Sequence, residues 1–230
     1  MAAGVWTEAF RVERRGIDVR AGLAGGLASC TPLAIGVAAD EPAIGVTACF
    51  GGLNAALAVP RGPLRERLGW GAGASLGCCA SVALATAVQS SDLGSVAAAF
   101  ALVGAAALLR TFGPDGGLAG FVIGAIFVII NGIPAAPLDA GERTLWFAAG
   151  SLAGLALMVA AYAHDTSPPG PSPTPLRDLL ARGVQQLRHA VAHDTLLRAH
   201  ALRLATIVAA LLLLARLLDL DHGYWVPLTV

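Results

Sequence analysis

The chain has 230 residues, of which 56% are hydrophobic and only 13% are charged, and its formal net charge is zero. A soluble domain usually carries about twice that share of charged residues. A neutral chain also lacks the basic footprint of a nucleic-acid-binding protein. Composition therefore gives no indication of a nucleic-acid partner and favours a protein whose main partner is the lipid bilayer.

The apolar residues are gathered into blocks, and a bilayer core about 30 Å thick needs about 20 such residues in a helix. Six blocks fill the first 163 residues, a seventh follows later, and an eighth opens at residue 223. The alternative is a large soluble all-α protein, but so many uncharged blocks of near-spanning length are rare in soluble folds. We predict an all-α, polytopic transmembrane helix bundle with six spans and a partial second repeat. The predicted spans cover residues 21–39, 43–59, 68–88, 93–109, 116–133, 145–163 and 199–218.

The fifteen basic residues, all of them arginine, predict how the chain is oriented. A cytoplasmic N-terminus puts all of them on the inside except Arg143 and Arg216, which is a strong positive-inside bias. The first twenty residues lack a short apolar segment followed by a cleavage site, so we expect the first span to remain as a signal-anchor. The predicted localisation is the inner (plasma) membrane, with the N-terminus in the cytoplasm.

The chain divides into three predicted regions. Residues 1–163 form the six-span domain, 164–197 a cytoplasmic segment, and 198–230 the first hairpin of a truncated second transmembrane unit. Five prolines in the segment 164–175 predict an extended spacer. Beyond it, apolar residues recur at helical spacing and predict an amphipathic helix. This helix could lie on the inner leaflet, dock on a partner helix or simply lead into the seventh span.

One arrangement occurs twice along the chain. Basic residues precede an apolar span, an acidic tight turn follows, and the chain re-enters the membrane. The first copy has Arg20 before its span and Asp40-Glu41-Pro42 after it. The second copy has Arg198 and Arg203 before its span and Asp219-Leu220-Asp221 after it. Because six spans precede the second copy, both copies start on the same side of the membrane and would be parallel repeats.

The last residues read His-Gly-Tyr-Trp-Val-Pro-Leu-Thr-Val, and Gly223, Tyr224, Trp225 and Pro227 stand out in this string. Tyr224 and Trp225 could be interfacial aromatic residues and Pro227 the first turn of a helix. The string also resembles the second-half motif of the fusaric acid resistance (FUSC) family. The segment 40–45 with 51–53, followed by the arginines of 61–67, resembles the N-terminal hairpin of that family.

The resemblance implies a bacterial inner-membrane protein with six spans, a cytoplasmic segment and six further spans. Members of this family include exporters of aromatic acids, and plant malate channels are distant relatives. This chain departs from the pattern because it stops early in the eighth span. We therefore expect it to work as a homo-oligomer or together with a missing C-terminal half.

Polar residues within apolar spans are candidates for a substrate or ion pathway, because burying them in lipid is costly. Asn54, Arg110 and Asn131 are the candidates here. Arg110 could bind the carboxylate of an organic anion through its guanidinium, or its side chain could extend to the inner interface. Asn131 could face a cavity beside a loosened helix end, or it could bond to a neighbouring helix.

A second group of candidates lies in the predicted outer turns. Asp40, Glu41, Asp219, Asp221 and His222 could relay protons and couple efflux to a proton gradient. The alternative is that these turns are simply solvated.

The sequence contains no Walker loop and no His-Glu-x-x-His motif, so we do not expect an enzyme, an ATP-driven pump or a cofactor. The four cysteines lie within apolar spans without metal-ligand spacing, so no metal site is expected. The predicted function is efflux of aromatic or other organic acids, driven by an ion gradient. The alternatives are a passive organic-anion channel and a non-transporting fragment or scaffold.

Overall fold

The computed structural model describes residues 18–58, 64–134, 137–162, 176–218, 220 and 225–228. It is 90% helical, and the described residues contain no strand, so the predicted all-α class is confirmed. The helices are α1 (Val19–Ala38), α2 (Pro42–Leu57), α3 (Leu64–Val88), α4 (Asp92–Ala107) with a 3-10 segment (Leu108–Phe112), α5 (Pro114–Gly132), α6 (Ala140–Tyr162), α7 (Leu176–His193), α8 (Thr195–Leu217) and α9 (Trp225–Leu228).

Six helical stretches within the described residues are long and apolar enough to cross a membrane, and they indicate a multi-pass membrane protein. α2 is apolar but has only 16 residues. At 1.5 Å per residue it is about 24 Å long, which is shorter than the hydrocarbon core of about 30 Å. The second predicted span, 43–59, therefore corresponds to a helix that is not counted among the six candidate spans. The six stretches are Val19–Ala38, Glu66–Val88, Asp92–Phe112, Pro114–Gly132, Ala140–Tyr162 and Thr195–Leu217.

Large apolar side chains cover the outer surface of the bundle. Leu76 is 73% exposed, and Phe121 and Leu152 are each 67% exposed. Monomeric soluble proteins rarely expose apolar surface on this scale. Lipid tails are the solvent that such side chains fit, which agrees with the membrane assignment.

Side-chain contacts identify the two ends of the bundle. At one end, the Tyr162 hydroxyl donates a hydrogen bond to Asp18, and the Arg67 guanidinium lies 3.9 Å from the centre of the Tyr162 ring. At the other end, Arg216 forms an ion pair with Asp92. We call these the Asp18 end and the Arg216 end. These contacts join the start of α1 to the end of α6, and the end of α8 to the start of α4, as expected for neighbouring helices that run in opposite directions.

Helices α1, α2 and α6 pack backbone against backbone, and we call them the α1–α2–α6 unit. A Cβ on Gly150 of α6 would lie 1.9 Å from the Ala48 carbonyl oxygen of α2. A Cβ on Gly52 of α2 would lie 2.1 Å from the Ala28 carbonyl oxygen of α1. Only glycine fits at these positions, and small residues allow membrane helices to approach this closely.

Helices α4, α5 and α8 form a second group, the α4–α5–α8 unit. α4 packs against both α5 and α8, and α3 joins the two units through contacts with α5 and α6. Large side chains fill the core here, and Phe127 and Ile130 of α5 are almost fully buried. The short helix α9 packs against α8 and α5.

Helix α7 coincides with the predicted amphipathic helix. Gln186 donates a hydrogen bond of 3.0 Å from Nε2 to the Thr111 carbonyl oxygen in the 3-10 segment. The neighbouring Phe112 ring lies beside Gly183 of α7. α7 is therefore attached to the Asp18 end of the α4–α5–α8 unit. The spacer predicted for 164–175 lies outside the described residues.

Candidate functional site

The main cavity is a groove of about 680 Å³ between α4, α5, α8 and α9. Its walls carry glycine and large apolar side chains and run from Pro114 to Val128 along α5. At 1.5 Å per residue, this part of α5 is about 21 Å long. The volume lies in the range of small-molecule binding sites, about 300–1,000 Å³. The apolar walls include Val103, Phe121, Val128, Leu204, Val208 and Leu228.

Arg110 borders this groove at the Asp18 end. It belongs to the 3-10 segment, and its aliphatic stem passes close to Gly117 of α5, where an added Cβ would lie 3.7 Å from the Arg110 Cγ. Gly113 has a φ of +88°, a backbone conformation that favours glycine. The chain can therefore turn sharply between the 3-10 segment and Pro114, which begins α5. The guanidinium is exposed at the mouth of the groove.

His200 borders the groove as well, and the sequence analysis did not select it. His200, Leu204 and Val208 follow one another at intervals of four residues, so they share one face of α8. This spacing is the signal that could have identified His200 as part of a lining stripe. The groove therefore combines an apolar interior with an arginine and a histidine on its lining.

Asn131, the second candidate from the sequence, is buried and does not line the groove. Its Nδ2 donates to the Ala85 carbonyl oxygen of α3 at 3.2 Å and to the Ser95 Oγ of α4 at 3.0 Å. Its Oδ1 accepts a hydrogen bond of 2.9 Å from Arg216 of α8. Asn131 thus bonds α5 to three other helices, which was the alternative given for it above.

Arg216 completes this network at the Arg216 end. In addition to its bond to Asn131, Arg216 donates to the Gln89 carbonyl oxygen at 3.1 Å and pairs with the Asp92 carboxylate at 2.5 Å. The sequence analysis used Arg216 only to orient the chain. Its partners are 85 to 127 residues away along the chain, and nothing in the local sequence indicates them.

A buried arginine lies close to this network. Arg143 of α6 is 3% exposed and donates to the carbonyl oxygens of Ile133 and Pro134 from Nη2, at 3.1 and 3.3 Å. Gln89 donates to the same Ile133 oxygen at 2.8 Å. The partial negative charge at a helix C-terminus favours a cation, and these carbonyls follow the end of α5. Within the described residues, Nη1 of Arg143 and Oε1 of Gln89 have no hydrogen-bond partner.

Asn54 lies on α2 and is also buried, outside the groove lining. Its Oδ1 accepts a hydrogen bond of 3.3 Å from the Cys78 thiol of α3, and its Nδ2 has no partner among the described residues. Thiols are weak donors. The structure therefore does not bring together the three pathway candidates, since Arg110 borders the groove and the two asparagines are buried elsewhere.

The turn between α1 and α2 contains Asp40 and Glu41, and both are exposed. Asp40 has a φ of +59°, and the Glu41 amide donates to the Gly36 carbonyl oxygen at 2.8 Å. Aspartate tolerates this left-handed conformation better than most residues, so the turn has a structural reason for this residue. Among the described side chains, neither carboxylate has a hydrogen bond or an ion pair.

The other proposed relay residues, Asp219, Asp221 and His222, lie outside the described residues, as do Gly223 and Tyr224. The predicted outer cluster therefore stays a prediction. Trp225 begins α9, and Pro227 is buried and lines the groove. Pro227 lies in the first turn of α9, which is the position predicted for a proline at the start of the eighth span.

Gly73-Ala74-Ser75-Leu76-Gly77 matches the Gly-x-Ser-x-Gly pattern of serine hydrolases, which the sequence analysis overlooked. In those enzymes the serine occupies a sharp turn between a strand and a helix. Ser75 lies within α3, and its Oγ is buried and without a hydrogen-bond partner in the described part of the chain. The pattern therefore lacks the context that its chemistry requires. The described residues also contain no group of three His, Cys, Asp or Glu side chains that could hold a metal ion.

Comparison with known protein families, with curated proteins and with solved structures gives no match to this chain. The functional argument therefore depends on the groove and on the helices that form it.

Proposed function

We propose that this membrane protein transports amphipathic organic anions, and that the groove between α4, α5 and α8 binds them. The observation that carries the proposal is the position of Arg110 and His200 on the lining of an apolar groove of about 680 Å³. An aromatic acid has the matching chemistry, with an apolar ring and one carboxylate. Guanidinium pairs with carboxylate through two parallel hydrogen bonds.

Efflux driven by an ion gradient and membership of the FUSC family are part of this proposal. The Gly-Tyr-Trp-x-Pro string supports it, as does Pro227, which belongs to that string and also lines the groove. In the proposed bacterial inner membrane, the Asp18 end faces the cytoplasm, so Arg110 meets the anion on the side from which it is exported.

A passive anion channel is the second candidate, and the exposed Arg110 at the mouth of the groove favours it as well. A channel moves the anion in either direction down its gradient. An exporter moves it outward against its gradient and needs a coupling ion. A scaffold without transport activity would bind no organic anion in the groove.

The test is the binding of labelled benzoate to the purified protein, compared with the neutral analogue benzamide. Arg110→Gln should raise the Kd for benzoate about tenfold, because a hydrogen bond to a charged group contributes about 1.5 kcal/mol. It should leave benzamide binding unchanged. The matched control is Arg203→Gln, because Arg203 is exposed on α8 near His200 but does not line the groove. Equal effects of the two substitutions, or no benzoate binding at all, would reject the groove as an anion site.

Retention of labelled benzoate in cells then separates the transport modes. An exporter lowers retention only while a proton or sodium gradient is present. A channel equilibrates the anion without any such gradient, and its current follows the anion gradient alone. A scaffold leaves retention equal to that of cells without the protein.

The proposed proton relay has its own test. Asp40→Gly with Glu41→Gln removes both carboxylates, and glycine keeps the left-handed turn at position 40. If Asp40 and Glu41 couple efflux to protons, this double variant loses gradient-driven efflux but keeps benzoate binding. Unchanged efflux would mean that the turn is only a helix connection.

A further inference from the structure

Helix α7 presents two neighbouring stripes to different surroundings. Gly183 and Gln186 lie against Phe112 and Thr111 of the 3-10 segment. The next stripe, Val184, Leu187 and Val191, has the i, i+3, i+7 spacing of an apolar helix face. Val184 is 50% exposed and Val191 is 37% exposed. Part of the apolar face of α7 is therefore uncovered, directly beside the stripe that holds the helix on the bundle.

The position of α7 indicates what covers this stripe. Thr111 and Phe112 are the last residues of the candidate span Asp92–Phe112. At its other end, α7 ends at His193, and α8 begins at Thr195 after the single residue Asp194. Asp194 caps α8 by accepting a hydrogen bond of 2.9 Å from the Leu197 amide. Both attachments of α7 thus lie where candidate spans end, which is the depth of the lipid headgroups.

The charge of α7 fits the same surroundings. The helix has three arginines, Arg177, Arg182 and Arg188, against one aspartate, Asp178, so its formal net charge is +2. Arg188 is exposed and lies one helical turn from Val184. His189 and His193 lie next to each other with ring centres 4.5 Å apart. An exposed apolar stripe with arginine along its edge is the pattern of a helix that lies in the membrane interface.

We infer that α7 docks on the bilayer surface at the Asp18 end of the bundle and binds anionic phospholipid there. Val184, Leu187 and Val191 enter the region between the headgroups and the acyl chains, and Arg188 pairs with lipid phosphate. This inference is independent of the proposed transport function, because it concerns a surface outside the groove. A second copy of the chain covering the same stripe is the competing occupant, and the experiment separates the two.

The experiment uses the full chain in nanodiscs that hold one copy each, with the four native cysteines replaced by alanine. An environment-sensitive fluorophore is attached to Val184→Cys, to Val191→Cys or, as the control on the polar face, to Gln185→Cys. The discs contain phosphatidylcholine alone or with phosphatidylglycerol, and brominated lipids act as the quencher. Labels at 184 and 191 should be blue-shifted and quenched by brominated lipid, whereas the label at 185 should remain in water. Equal quenching at 184 and 185 would overturn the inference.

Lipid charge provides the second measurement. The label at 184 should be quenched more strongly when phosphatidylglycerol is present, and Arg188→Gln should lower the docked-to-undocked ratio about fivefold, which corresponds to one basic residue at an anionic surface. Protection of the label at 184 only in discs that hold two copies would overturn the inference and assign the stripe to a protein contact. Quenching that is the same in both lipid compositions would overturn the binding of anionic lipid.

Discussion

The two helical units of this protein differ in how much of their packing depends on glycine. In the α1–α2–α6 unit, glycine brings the backbones of the three helices into contact. In the α4–α5–α8 unit, a similar contact joins α4 and α5, where a Cβ on Gly120 would lie 2.1 Å from the Ala106 carbonyl oxygen. Large side chains and a polar network also hold these helices, and a groove of about 680 Å³ remains between them. Close backbone packing leaves no room for a ligand. Helices that meet through side chains can leave a groove between them.

The difference extends to the buried polar residues of each unit. Asn54 in the first unit has one weak hydrogen bond and one unpartnered donor among the described residues. Asn131 in the second unit has three hydrogen bonds to three helices. We interpret the first unit as a rigid platform and the second as the unit where a few polar contacts set the helix spacing around the groove.

The largest expected effect concerns the glycine contacts. Gly150→Ala should lower the free energy of unfolding by about 3 kcal/mol, the upper end for overpacking, because the new Cβ would meet the Ala48 carbonyl oxygen at 1.9 Å. The control is Gly73→Ala on α3, where nothing lies within 4 Å of the added Cβ. It should be neutral or slightly stabilising. Thermal unfolding in detergent measures both, and similar values for the two variants would mean that the first unit is not closely packed.

The two asparagines provide the next comparison. Asn131→Leu should destabilise the protein by about 2 kcal/mol, because it removes three hydrogen bonds, each worth about 0.6 kcal/mol on average within a membrane. Asn54→Leu should change stability by less than about 0.5 kcal/mol, since it also removes an unpaired donor from the interior. The measurement is the unfolding free energy of each variant in the same detergent. Equal losses would contradict the contrast between the two units.

More of the fold than of the candidate site could be predicted from the sequence. The first predicted span, 21–39, and the observed α1, Val19–Ala38, differ by two residues or fewer at each end, because hydrophobicity alone determines which segments can enter lipid. Asn54 and Asn131 looked equivalent in sequence, since both are single amides in apolar blocks. Their difference depends on which helices are neighbours, and local patterns do not contain that information.

The groove could be predicted only in part, for the same reason. Arg110 was a candidate because it is a cation at the end of an apolar block. His200 was missed because its block begins among several basic residues, and its role depends on α8 lying beside α4. The predicted spans 93–109 and 199–218 are consistent with Asp92 and Arg216 at helix ends, but their pairing needs the three-dimensional arrangement.

The ion pair between Arg216 and Asp92 should contribute less to the free energy of unfolding than the hydrogen bonds of Asn131. Asp92 is 73% exposed on its side chain, so solvent screens the attraction. A double-mutant cycle with Arg216→Gln and Asp92→Asn should give a coupling energy of about 0.5 kcal/mol, and this value should fall as salt is added. Arg216→Gln alone should cost more, because Arg216 also donates to Asn131 and Gln89. A coupling energy above that of the Asn131 bonds would make the ion pair the main contact of the second unit.

The smallest effect belongs to the Asp18 end, where one hydrogen bond joins α1 to α6 of the first unit. The Tyr162 hydroxyl and the Ala21 amide donate to Asp18 and hold the pKa of that carboxyl below its ordinary value of 3.8. A lowered pKa in the folded protein means that this bond stabilises the fold above pH 3.8, and that the stabilisation is lost as the pH falls through the lowered pKa.

Tyr162→Phe removes the hydroxyl and keeps the ring under Arg67. It should lower the unfolding temperature at pH 7 by no more than about 2 °C, because Asp18 is exposed. This difference in unfolding temperature should disappear as the pH falls below the lowered pKa, because the Asp18 carboxyl is then protonated in the wild type. A difference that persists at low pH would show that the hydroxyl acts through packing rather than through Asp18. The first unit would then depend on its glycine contacts and on the hydrogen bond from Ser151 to the Gly51 carbonyl oxygen rather than on the bond to Asp18.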